Sequence, residues 1–188
     1  VTKWILGRIG KEKKKITKAV LQLFLSRTGL DMETIDKELE KLLCYTLKKE
    51  VIEAGDVRAV VTERPENKVF EMVDAIAGHD RKKALDLYSG LLALKEPPMR
   101  ILYLLMRQFR ILLAVKELSK KGYSSFDIAK KAGIPEFAVR KHQAQAGGFS
   151  EETALFMLQE GALLEEDVKT GKIQDKIAVE ILIIKYGK

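Results

Sequence analysis

The chain has 188 residues, 46% hydrophobic and 32% charged, with a net charge of +7. That length supports a real core and one or two domains, while four prolines and abundant Leu, Lys, Glu and Ala favour helix. A single cysteine, Cys44, excludes an internal disulfide framework and fits a reducing cytoplasm.

The stretch reads without a signal peptide or membrane span, so a cytoplasmic location and no membrane partner are expected. It opens at Val1 in what reads as the middle of a helix, which predicts a missing upstream part. The positive charge is concentrated in Lys11, Lys13, Lys14, Lys15 and Lys18; Glu151, Glu152, Glu160, Glu165, Glu166 and Asp167 make the late chain acidic. A basic balance permits nucleic-acid contact, although a lysine-rich helical surface is the better explanation.

Residues 1–9 carry Trp4, Ile5 and Ile9 as the tail of one helix. Ile16, Ala19, Val20, Leu23, Phe24 and Arg27 then recur at helical spacing up to Gly29. Asp31 is a suitable N-cap for a third helix with Ile35, Leu39, Leu42, Leu43 and Thr46 inward. Glu38, Glu40 and Lys41 are expected outside, and Asp36–Glu40 and Lys37–Lys41 put like charges at i,i+4. Gly55 and Asp56 introduce a short helix over 57–61. Thr62 to Pro65 reads as the boundary between a unit of residues 1–63 and one of residues 65–188. In the second unit Pro65 starts a helix with Val69, Phe70, Val73, Ile76 and Ala77 on one face, and Asp80 caps the next.

Residues 97–121 form the longest predicted helix, opened by Pro97 and Pro98 and closed before Gly122. It is apolar nearly all round and so needs cover, from its own domain or from another chain. Glu96, Arg100, Tyr103, Arg107, Arg110 and Glu117 line up as a narrow charged stripe. Arg100, Arg107 and Arg110 are the residues expected to meet an acidic neighbour or phosphate. Ser124 or Ser125 starts a short helix ended by Gly133, and Pro135 begins another. Ser150 caps a long helix carrying Leu155, Leu158 and Ala162; Ile173, Ile177, Ile181 and Ile184 build the last. No stretch alternates like a strand, so the fold class is all-α.

No credible active site emerges. Gly7 to Gly10 and Gly171-Lys172 both fail the phosphate-loop pattern. His79 and His142 read as surface residues, Cys44 as a small core or boundary residue, and Glu165 to Asp167 as a solvated face. No catalytic, cofactor-binding or metal-binding residue is assigned and no cofactor is expected. Residues 125–141, SFDIAKKAGIPEFAVRK, do have the spacing of a helix-turn-helix, with Ala129, Gly133 and Val139 at its small, turn and buried positions. Its second helix would offer Glu136, Arg140 and Lys141 to DNA. A proline, an acid and a buried-looking Phe137 in the reading turns weigh against it.

Six segments in order carry a resemblance: Trp4–Ile5, ELEKLLCYT at Glu38–Thr46, IEAGDV at Ile52–Val57, VFEMVDAI at Val69–Ile76, RQFRILLAVKEL at Arg107–Leu118, and EEDVKTGK at Glu165–Lys172. With them the chain resembles the delta-subunit family of the bacterial DNA polymerase III clamp loader. The resemblance implies that residues 1–63 are a helical AAA+ lid. It implies that residues 65–188 are the helical collar by which clamp-loader subunits form a ring. The family's nucleotide-binding domain, which grips the sliding clamp, would be missing, so no residue role transfers. The partners implied are other clamp-loader subunits through the collar, the sliding clamp only through the missing domain, and DNA within the complex. The parent holoenzyme would be a DNA-directed DNA polymerase, with no activity in this part. Active lids place an arginine near the start of their third helix; here that turn reads Gly29-Leu30-Asp31-Met32-Glu33, which cannot stabilise phosphate charge.

Overall fold

A computed structural model describes residues 1–29, 31–62 and 64–187. Leu30, of the lid-like turn, lies outside the described residues. The chain divides into two compact units, Val1–Asn67 and Lys68–Lys188.

The first unit is built from α1 (Thr2–Lys11), α2 (Lys18–Thr28), α3 (Met32–Tyr45) and α4 (Ala54–Val60), with two-residue strands β1 (Lys15–Ile16) and β2 (Val51–Ile52). Ile5, Ile9, Phe24, Ile35, Leu39, Leu42, Ile52 and Val57 form its core. The third-helix face is as expected: Ile35, Leu39, Leu42, Leu43 and Thr46 are all buried. The Asp31 carboxylate accepts from Thr34 N at 2.8 Å, satisfying a free N–H of the first turn. The short helix starts earlier than Gly55, at Ala54, because Glu53 and Asp56 close a capping box.

Four details differ from the pattern reading. The second helix buries Leu21 and Leu25 beside Phe24, on the face that packs against α3 and α4. Glu38 is half-buried: one oxygen pairs with Lys41 at 2.7 Å and the other accepts from Thr62 N at 3.2 Å. Cys44 is exposed rather than packed, one residue off the Leu42–Leu43 face. Ile16 and Ile52 belong to a parallel pair, Lys15↔Val51 and Ile16↔Ile52, too short to alternate visibly in sequence.

The lysine run is not a uniform solvated face. Lys14 is 8% exposed and its ammonium donates to the carbonyls of Thr46, Leu47 and Lys49. These oxygens lie in the turn that follows α3, at the end of the helix where its dipole favours a cation. Lys14→Met removes the shared donor of the part-buried Leu47 and Lys49 carbonyls, while Thr46 O keeps the Lys49 N–H, so a loss of about 1–2 kcal/mol in this unit's stability is expected. A lower urea midpoint would register it. The turn before α3 carries no arginine of its own, yet the Arg64 guanidinium lies where a Cβ on Gly29 would stand. Gly29, at φ 73°, has room for none.

The second unit contains α5 (Pro65–Ala77), whose first residues fall before its boundary, α6 (Arg81–Ala93), α7 (Pro98–Lys120), α8 (Ser125–Ala132), a 3-10 turn (Glu136–Ala138), α9 (Val139–Gly147), α10 (Glu151–Lys169) and α11 (Asp175–Tyr186). With eleven α-helices among the described residues, the fold is all-α. α7 is the hub, packed on α8, α9, α10 and α11. Asp80, Ser124 and Ser150 cap their helices by side-chain acceptance from Lys83, Asp127 and Thr153. Tyr88 ties α6 to α11 by donating to Lys176 O at 3.0 Å, and burial pushes its phenol up to about 12.

The inward faces of the last two long helices differ from expectation. α10 buries Ala154, Met157, Gly161 and Leu164, leaving Leu155 exposed. Gly161 is the reason, since Met106 of α7 occupies the space a side chain would take. Close approach there selects the small residues of α10, not its largest aliphatics. α11 buries Ala178, Val179, Leu182 and Ile183, while Ile177 and Ile184 face out.

Candidate assembly surface

The inward side of α7 is a column of Ile101, Leu102, Leu105, Phe109, Leu112 and Val115, none more than 2% exposed. Two polar residues interrupt it. Gln108 Nε2 donates to Gln145 Oε1 at 2.5 Å, and Gln145 Nε2 donates to Phe70 O at 2.9 Å and Asp74 Oδ1 at 2.7 Å. Lys116 Nζ donates to Ala146 O at 3.1 Å and to Phe149 O. Buried polar groups need such partners, and these ones fix the register of α5 and α9 against α7. Sequence patterning passed over Gln108 and Lys116; their signal was polarity inside an otherwise apolar run.

The expected stripe is present on the opposite side. Arg100, Tyr103, Arg107, Arg110 and Glu117 are exposed, and Glu96 is half-buried. Arg100 pairs with Glu96 at 3.2 Å and Glu117 with Lys121 at 2.6 Å. Exposed pairs of this kind contribute little stability. Arg107 and Arg110 have no ion-pair partner among the described residues.

Beside the stripe, α7 and α10 enclose a groove of about 440 Å³. Met99, Leu102 and Met106 line it from α7, and Leu158, Ala162 and Val168 from α10. Tyr103 and Arg110 stand at its rim. Further round α10, Phe156 is 52% and Leu163 62% exposed, seven residues apart and so on one face. Ile177 and Ile184 repeat that spacing on α11, which packs against α10. All four of these large apolar side chains stand in water on α10 and α11.

The helix-turn-helix stretch is built differently from its pattern. Ala129 and Val139 are buried with Ile111, Val115 and Ile128, and Gly133 adopts φ 66° as the turn requires. Pro135, however, opens a 3-10 turn, and the α-helix begins only at Val139. Phe137 is 40% exposed, not buried. Arg140 and Lys141 lie exposed on α9, and the Lys141 ammonium sits 3.8 Å from the centre of the Phe70 ring. A cation held over a ring in this way is already engaged.

His142 is buried, contrary to expectation, edge-on to Phe70, with Nδ1–H donating to Ala138 O at 2.9 Å. Burial pushes its pKa below the usual 6.5, and Lys141 and Arg107 oppose the proton while Asp74 favours it. The unfolded chain therefore takes up the proton first as pH falls. Stability is complete above about pH 6.5 and declines as pH drops through the folded pKa. Urea midpoints are expected to fall between about pH 7.5 and pH 5, and His142→Gln to flatten the difference. His79 is exposed at φ 56°. No group of three His, Cys, Asp or Glu among the described residues could hold a metal ion. No described helix is long and apolar enough to cross a membrane.

Residues 66–186 match the family model for the DNA polymerase III delta subunit, C-terminal domain. The chain belongs to the DNA polymerase III delta-subunit family. It is 30% identical over 178 residues to DNA polymerase III subunit delta of Bacillus subtilis (strain 168), covering 94% of this chain and 51% of that protein. A probable DNA polymerase III subunit delta of Aquifex aeolicus (strain VF5) is 30% identical over 115 residues, 61% of this chain and 33% of the relative. The solved DNA clamp loader delta protein of Bacillus subtilis superposes with a TM-score of 0.85 at 27% identity, over 99% of this chain and 55% of that one. The chain thus spans about half the length of the Bacillus relative. These likenesses favour the delta-subunit reading over a DNA-reading helix-turn-helix.

Proposed function

We propose that this chain is the part of a clamp-loader delta subunit that holds the subunit in its assembly. On this reading residues 65–188 are the collar and residues 1–63 the lid-type domain, and neither makes or breaks bonds. The observation that carries the proposal is the exposure of large apolar residues on two packed helices, Phe156 and Leu163 on α10 and Ile177 and Ile184 on α11. Such a surface fits sister subunits, which bury it on joining the loader. Arg107 and Arg110, cations without a described partner, would meet acidic residues of a neighbour or DNA phosphate at the rim of that contact, with Arg100 held back by Glu96. The sliding clamp and nucleotide are handled outside these residues, in the cytoplasm, where the complex works on primed DNA.

The proposal is tested by reconstitution. Mixed with the other subunits of a bacterial clamp loader, the chain is expected to co-elute with them on size exclusion. Elution as a separate species at micromolar concentrations would remove the proposal's support. Random-sequence duplex DNA is expected to bind weakly and without sequence preference, with affinity falling steeply in salt.

A further inference from the structure

The turn after α3 and the β1–β2 pair carry a surface that subunit assembly through the second unit does not use. The Lys14 ammonium draws the carbonyls of Thr46, Leu47 and Lys49 onto the chain at residues 13–15. Pairing of Lys15 with Val51 brings β2 alongside. Ile52 is fully buried, so Val51 and its register partner Lys15 take the outward side of the ribbon. Leu47 is 72%, Tyr45 57% and Val51 44% exposed. Around them Lys13, Lys15 and Lys48 are exposed and form no ion pair among the described residues. Lys49 is turned away, 2.7 Å from the buried Asp56 carboxylate.

We propose that this basic-rimmed apolar knuckle docks an acidic segment of a partner protein that carries an apolar anchor residue. Charge complementarity selects the occupant. The lysines attract carboxylates and repel a second copy of the same surface. The aliphatic Leu47 and Val51 gain nothing from phosphate and cannot stack on a base, leaving Tyr45 alone to serve a nucleic acid. An apolar anchor set among acids uses both features: it covers Leu47 and Val51, and its carboxylates reach Lys13 and Lys48. Because Lys14 and the strand pair hold the backbone, the surface is ready before the partner arrives.

The test is fluorescence anisotropy of a labelled synthetic peptide with Leu and Phe set among Asp and Glu, titrated with the full chain. Saturable binding is expected with Kd on the order of 10–100 μM at low salt. Raising salt from about 0.05 to about 0.5 M is expected to weaken it, since screening reaches exposed charges. Leu47→Asp, and separately Lys13→Glu with Lys48→Glu, should each weaken binding about tenfold or more. All three side chains are exposed, so thermal midpoints should match the parent chain. Absence of saturable binding, or binding that survives both variants, overturns the proposal. So does a labelled oligothymidine that binds while the peptide fails to compete, which would assign the surface to nucleic acid.

Discussion

Phe156→Asp combined with Leu163→Asp is expected to abolish entry of this chain into a clamp-loader assembly while leaving its own fold intact. Both side chains are more than half exposed in the isolated chain, so replacing them removes little from the core. In an assembled complex they would sit at the centre of an apolar contact, where truncating a large side chain costs about 2 kcal/mol or more. A buried carboxylate without a partner adds a desolvation penalty of its own. Together the two changes should weaken association by at least about a hundredfold, ~2.7 kcal/mol. Titration of the variant against the other subunits measures the loss, and a thermal melt checks that the midpoint has not moved. Leu155→Asp, one residue aside on the same helix, should have a smaller effect.

Phe109→Ala should have the largest effect on stability of any single change in the second unit. Phe109 is fully buried at the middle of α7 and meets Phe149 edge-on, ring centres 5.2 Å apart. Four other helices pack on α7, so no one of them can move in to fill the space without leaving another. Large-to-small changes of this kind cost about 3–5 kcal/mol. Domains of this size are stable by only about 5–15 kcal/mol, so the change removes a large share of that margin. Denaturant unfolding followed by helical circular dichroism would read it as a lower midpoint with an unchanged slope.

Both expectations depend on features of unequal legibility. The caps at Asp31, Asp80, Ser124 and Ser150, the glycine stops and the near-continuous apolar run of α7 are local, and each appears in sequence as a residue type at a fixed place. The faces of α10 and α11 are not local. Leu155 and Ile177 are good hydrophobes, but the core took Ala154, Gly161 and Ala178 because close helix approach rewards small side chains there. The choice lies in the neighbouring helix, where Met106 fills the place opposite Gly161. Buried polar groups were obscured for the same reason. Lys14, Gln108 and Lys116 look like surface residues until the carbonyls and amides they serve are brought to them across 30 or more residues of chain, and His142 until the Phe70 ring covers it. Of the candidate site, the charged stripe on α7 was readable from helical spacing. The exposed Phe156 and Leu163 on α10 do not stand out in sequence, because helical spacing alone points to Leu155, Leu158 and Ala162 as the inward face.

Side-chain oxidative footprinting measures the central claim most directly, because Phe, Leu, Met and Tyr react in proportion to their contact with water. In the free chain Phe156, Leu163 and Tyr103 should label readily, and Phe109 and Met157 hardly at all. In complex with the other clamp-loader subunits, Phe156 and Leu163 should become protected while Leu47, on the first unit, keeps its reactivity. If a complex forms and Phe156 and Leu163 label as strongly as in the free chain, this surface is not what joins the chain to its neighbours.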